Sequence, residues 1–387
     1  MKIKTKAKIF NDDFVFLTNK TNRNRTIENK HKNKKIISFK KFELKQGNLF
    51  HKYIYNINFI LFGFILLILP KKLLMIEHYI SLKVSRTGYQ QILSNEYNGP
   101  KPCAIYIEND IQVMRERKVE VKDIGKEIIL KWENKLTDFT YMFSNLISIT
   151  AVKLYNIFES RSNSSYMFYN CKSLESFSYY RNDGIKPEIT DTISLFYNCI
   201  SLRSFSFDQF NMNNNNYNRY MSYMFYNCQS LNNLIYTYIY YVRDIRGLFY
   251  NCSKLTEIKL EYFYTSSSSK ANSSYLFYNC ILLEKVSFQN YFYTNAMESM
   301  FYNCQKLISI NLTPIRTDNS INISRLFYNC SQLSSVKGDF HNFYISDTRE
   351  MFFNCTSFKH YYDNNNVKQN YIIMYLQHNN QNINVNM

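Results

Sequence analysis

Residues 166–174 read Y-M-F-Y-N-C-K-S-L, and the core of that stretch, [ML]-F-[YF]-N-C, occurs eight times in the chain. Aligned on their cysteines, the copies fall at Cys171, Cys199, Cys228, Cys252, Cys280, Cys304, Cys330 and Cys355, with spacings of 28, 29, 24, 28, 24, 26 and 25 residues. A degenerate copy lies 25 residues before Cys171, at Tyr141-Met142-Phe143-Ser144-Asn145-Leu146, where Leu replaces Cys. Self-similarity at such a period marks a solenoid, a propeller or an array.

Two periodicities follow one another inside a unit. Met167, Phe168, Cys171 and Leu174 fall at i, i+1, i+4 and i+7, which predicts one face of a short helix. Leu174, Phe177 and Tyr179 then read L-x-x-F-x-Y, and the last two alternate as a strand requires. Later units repeat this at Leu255/Ile258/Leu260 and Leu307/Ile310/Leu312. A helical turn followed by so short a strand cannot bury its own apolar side; stacking the coils in a parallel ladder buries every one.

This pattern resembles the BspA-like leucine-rich-repeat family, in the variant whose repeats read M-F-x-x-C-x-x-L-x-x-L-x-L, across about residues 141–363. The chain lacks the D-L-S-x-F-x-T that usually follows the strand in that variant and has Tyr- and Asn-rich sequence instead. The expected class is α/β: a leucine-rich-repeat-like solenoid of stacked strand/short-helix coils with a small β-rich N-terminal cap. The resemblance implies a surface protein that recognises a partner and does no chemistry.

One cysteine per unit admits a metal array, a disulfide ladder or a packing device. The chain has no C-x-x-C or C-x-x-H pair, and its six histidines are scattered without ligand spacing, which argues against zinc. Stacked side chains point the same way rather than toward each other, which argues against bridges between coils. The remaining reading is a small buried plug on the inner face of each turn. The adjoining Asn is expected to bond backbone groups, forming a ladder beside the cysteines. Tyr169, Tyr197, Tyr226, Tyr250, Tyr278, Tyr302 and Tyr328 fall off the apolar face, as a ridge packed on neighbouring coils or as a contact surface.

The net charge of +17 is uneven: residues 1–52 carry 15 Lys/Arg against four Asp/Glu. The basic character thus belongs to a polar tail expected to be disordered, and no nucleic-acid module accompanies it. Residues 53–70 hold no charge and would span roughly 27 Å as a helix. They read as a single-pass signal anchor with the N-terminus cytoplasmic, as a cleaved secretory signal, or as a buried apolar helix. Residues 75–140 supply the cap, with strands at Ile80–Val84, Ala104–Ile107, Val119–Val121 and Ile128–Trp132, and 364–387 form an Asn-rich tail.

No Gly-rich phosphate loop, nucleophile motif or His/carboxylate cluster appears, so no catalytic, cofactor or metal residue is assigned. The expected function is cell-surface or secreted recognition of a protein or glycan; an intracellular interaction scaffold is the alternative. Outward strand positions place Lys259, Lys285, Asn311 and Lys337 on one face as candidate partner contacts. Asn311 is also a sequon, as are Asn163, Asn272 and Asn322.

Overall fold

The computed structural model describes residues 78–362 apart from 182–183, 185, 212–218, 237, 266, 268–269, 289–290, 318–319 and 339–344. The basic tail, the apolar segment 53–70 and the C-terminal tail lie outside the described residues. Among the described residues no helix is long and apolar enough to cross a membrane; the expected single-pass anchor at 53–70 falls outside them and is not carried forward.

The cap comprises an antiparallel sheet that runs into the first coil and a separate two-stranded antiparallel pair formed by its second and fifth strands. Its strands are β1 (His78–Val84), β2 (Gly88–Gln91), β3 (Ala104–Ile107), β4 (Asp110–Ile111), β5 (Lys118–Val121) and β6 (Ile128–Trp132). Three more begin the solenoid: β7 (Leu136–Asp138), β8 (Ile149–Tyr155) and β9 (Phe158–Asn163), followed by β10 (Ser176–Tyr180). β1 lies antiparallel between β6 and β8, with Ile80 opposite both Leu130 and Leu154. The open edge of the first coil is thereby paired rather than left as a template for aggregation. Ile80, Leu82, Leu130, Val152 and Leu154 alternate inward and are buried.

From β8 onward the strands are parallel. Val152 pairs with Phe177 and Leu154 with Tyr179. The same column continues through Ser204–Ser206 beside Asn233–Ile235, Glu257–Leu260 beside Lys285–Phe288, and Ser309–Asn311, Ser335–Lys337 and His360–Tyr362. A second parallel column, absent from the sequence reading, precedes each motif. It starts with β7 beside β9 and includes Val242–Asp244, Ala271–Asn272 and Phe292–Ala296.

The fold is therefore an almost all-β solenoid, and the expected α/β class with short helices is corrected. Among the described residues the only helical element is a 3-10 turn at Phe207–Gln209. The motif does not form a helix because two of its residues are left-handed. Asn at the position before Cys has φ of 56–61° in every coil, and the residue five before Cys has φ of 51–59°. A left-handed residue ends a right-handed helix, and Asn adopts that region more readily than most side chains. The hydrogen bonds then alternate. Met167, Tyr169 and Cys171 N–H donate three residues back within the coil, to Ser164, Tyr166 and Phe168 carbonyls. Tyr166, Phe168 and Asn170 N–H donate instead to Ile193, Leu195 and Tyr197 of the next coil. Spacings that mimic a helix face arise from consecutive β-turns stacked as a third ladder.

Candidate functional site

The turn ladder carries several side-chain columns. Innermost, Phe143, Phe168, Phe196 and their successors to Phe352 stack with ring centroids 5.3–5.9 Å apart. The repeat cysteines are all free and buried. Each thiol also donates to a carbonyl of the preceding coil, such as Cys199 to Phe168 at 3.1 Å and Cys280 to Phe249 at 3.0 Å. This bond is what the sequence reading missed: the sulfur fills space and also ties adjacent coils. Burial pushes the thiols of Cys171 and Cys280 up to about 12, so they stay protonated and unreactive near neutral pH.

The asparagines form a ladder by a route other than the expected one. Each Nδ2 donates to the Oδ1 of the preceding coil's Asn, from Asn170 on Asn145 at 2.9 Å to Asn354 on Asn329 at 2.5 Å. The backbone is satisfied elsewhere, so the amides are free to pair with each other.

Outside the ladder, Tyr169 through Tyr328 and then Phe353 stack at 4.3–4.7 Å with rings 2–19° from parallel. Burial and neighbouring phenols push the Tyr197 hydroxyl up to about 12. Next to this column runs the other left-handed position, which carries Tyr166, Ser194, Tyr223, Gly247, Tyr275 and Ser299 in turn. The alternation of large and small side chains was visible in the sequence, but nothing there showed that these positions adjoin the tyrosine column. Residues of the two columns, together with Glu298, Arg325 and Glu350, line a groove of about 560 Å³. Arg325 Nε donates to Glu350 Oε2 at 2.6 Å. Burial and a hydrogen bond to Glu298 push the Tyr275 hydroxyl up to about 12.

The strand-face residues lie in two columns. Lys285 pairs with Glu257, Lys259 with Ser287, and Asn311 with Lys337. Lys285 and Asn311 are exposed; Lys259 and Lys337 are half-buried. The structure does not bring the three lysines to one point, because Lys285 occupies a different column from the other two. Among the described residues no group of three His, Cys, Asp or Glu side chains is placed to hold a metal ion.

A family model described as the BspA type leucine rich repeat region matches in six copies, over residues 129–240, 164–274 and 222–359. The chain belongs to that family. No curated protein matches this BspA type chain. Among solved structures it is similar to a leucine rich cell surface protein from Faecalibacterium prausnitzii A2-165, at 15% identity over 65% of this chain and 86% of the other, with a TM-score of 0.25. It is also similar to an internalin from Listeria monocytogenes str. 4b F2365, at 15% identity over 55% of this chain and 60% of the other, with a TM-score of 0.25.

Proposed function

We propose that this BspA type repeat protein is a non-catalytic recognition or adhesion protein, surface-located or secreted, that binds a protein or glycan through its solenoid. The observation that carries the reading is the in-register repetition of outward side chains on stacked coils. Such an array offers an extended contact surface whose positions vary while the buried columns stay constant. On the strand face, Lys285, Asn311 and the half-buried Lys259 and Lys337 are the proposed contacts; cationic side chains there steer an acidic partner. The buried thiols imply no compartment, since their suppressed thiolates keep them reduced in either. The full-length chain, immobilised and probed with panels of extracellular proteins and glycans, is expected to show saturable binding that weakens in Lys259→Glu/Lys285→Glu. Absence of binding across both panels rejects recognition, and unchanged affinity in the double variant rejects the strand face.

A further inference from the structure

Tyr250, Tyr278, Tyr302 and Tyr328 stack on successive coils with ring centroids 4.4, 4.3 and 4.5 Å apart and planes 4–5° from parallel. Their hydroxyls form one chain of hydrogen bonds, Tyr250 with Tyr278, Tyr278 with Tyr302 and Tyr302 with Tyr328. Phe353 follows Tyr328 and ends the chain, since it has no hydroxyl; at the other end Tyr226 meets Tyr250 at a wider angle of 19°. Packing alone does not require the hydroxyls. Phe353 stacks on Tyr328 at 4.7 Å, the same distance that separates Tyr169 from Tyr197. The inner Phe column is also ordered, but its rings lie 5.3–5.9 Å apart and carry no exchangeable proton.

We propose that these four tyrosines form a one-electron relay, which takes up the deficit of an oxygen-centred radical entering the groove and passes it along the stack. In the first step the radical RO• takes a hydrogen atom from one phenol. A Tyr O–H bond breaks and an RO–H bond forms, so the phenol is oxidised by one electron and the radical is reduced by one. In the second step the phenoxyl takes a hydrogen atom from the neighbouring hydroxyl, and Tyr–O• with H–O–Tyr becomes Tyr–OH with •O–Tyr. Both sides of that exchange are a phenoxyl beside a phenol, so it is close to thermoneutral. The proton crosses a hydrogen bond already in place, and the electron crosses between ring faces already in contact. Burial raises all four hydroxyls above the ordinary phenol value, so each keeps its proton near neutral pH and has it to give. All four rings border the groove of about 560 Å³, which admits a small radical. The thiols of Cys252, Cys280, Cys304 and Cys330 are 0% exposed, so an oxidant meets the phenols first. A thiol reductant in solution ends the relay by giving its hydrogen atom to the phenoxyl it reaches.

The test uses the full-length chain with Cys103→Ser, a ruthenium photo-oxidant on Lys254→Cys, and 3-aminotyrosine replacing Tyr328 as a trap that is easier to oxidise. Lys254 is exposed and lies four residues beyond Tyr250, whereas the eight repeat thiols are buried and take no label. A flash with an electron-accepting quencher is expected to give the aminotyrosyl radical at position 328, read by transient absorption and electron paramagnetic resonance. Its arrival should be slower in D2O, because a proton moves with the electron. Tyr278→Phe and Tyr302→Phe each keep the stack, as Phe353 does, and each removes one hydroxyl. Each is expected to slow arrival at least about tenfold with an unchanged melting temperature. Tyr240→Phe, in a separate stack with Tyr264, should leave the rate unchanged. Arrival at full rate in both column variants means direct oxidation by the photo-oxidant and overturns the relay. So does a rate indifferent to D2O, or a tyrosyl signal that forms without reaching position 328.

Discussion

Glu96 of the cap closes the asparagine ladder at Asn145. Asn145 Nδ2 donates to Glu96 Oε1 at 3.3 Å, and Ser144 Oγ donates to Glu96 Oε2 at 2.9 Å. The ladder has a direction: every Nδ2 points to the preceding coil, so the first rung needs an acceptor that no repeat can supply. Glu96→Ala should cost ~1–2 kcal/mol, and Glu96→Gln, which keeps one acceptor, about half of that. Hydrogen exchange should show the loss concentrated in the coils next to the cap. Equal loss of protection through to Cys355 would refute a local capping role.

In mid-ladder, Asn279 combines two demands, since it bonds Asn251 and Asn303 and holds φ at 60°. Asn279→Gly removes the rungs and keeps the backbone, whereas Asn279→Ala loses both. Chemical denaturation should therefore place Ala below Gly by ~1 kcal/mol. Equal stability would mean that the left-handed turn carries no strain.

Of the nine cysteines only Cys103 is exposed. A thiol reagent should modify one site quickly in the native protein and the other eight only on denaturation. Mass spectrometry that finds a bridge between consecutive units, such as Cys171–Cys199, would remove the packing account. The carbonyl of Phe249 also alters what a hydroxyl at 280 should do. Cys280→Ser retains a hydrogen-bond partner, so its cost should be no greater than that of Cys280→Ala, ~1–2 kcal/mol for each.

Four sequons outside the Asn-Cys motif are occupied by turn chemistry. Asn163, Asn272, Asn311 and Asn322 each accept the N–H two residues on, at 2.8–3.1 Å. Asn311 alone among them is exposed. Expression in a glycosylating host should give occupancy at Asn311 and none at the other three, read by peptide mass mapping. Occupancy at Asn272 or Asn322 with an intact fold would contradict the turn assignment.

Lys153 on β8 donates to Glu127 at 3.0 Å, linking the first coil to the cap. Partial burial raises the Glu127 carboxyl, but the hydrogen bond and charge of Lys153 outweigh it and leave the net shift downward. A depressed folded pKa contributes stability above the unfolded carboxylate pKa and loses it as pH falls through the folded value. Acid titration of stability should therefore show a decline below about pH 4 that is smaller in Lys153→Met. Both groups are more than a third exposed, so the difference is modest.

The repeat, its length and the first strand column were legible in the sequence, because a coil that buries one side must place apolar residues at the same points every turn. Leu174, Phe177 and Tyr179 are buried where the alternation put them. The nature of the turn was not legible. Met167, Phe168, Cys171 and Leu174 have the spacing of a helix face, and one-dimensional spacing does not distinguish a helix from stacked β-turns. What decides is the left-handed backbone at Tyr166 and Asn170, stabilised by hydrogen bonds to residues 27 positions away, such as Tyr166 to Ile193 and Asn170 to Tyr197. The second strand column was hidden for a related reason: Val242–Asp244 and Ala271–Asn272 are too short to alternate visibly and exist only by pairing between coils. The sequence by itself determined that the coils stack and which side chains face inward, since burial of apolar surface depends on pattern alone. Only the tertiary structure decided how each coil turns and which outer columns become neighbours, since those follow from hydrogen bonds that close between coils.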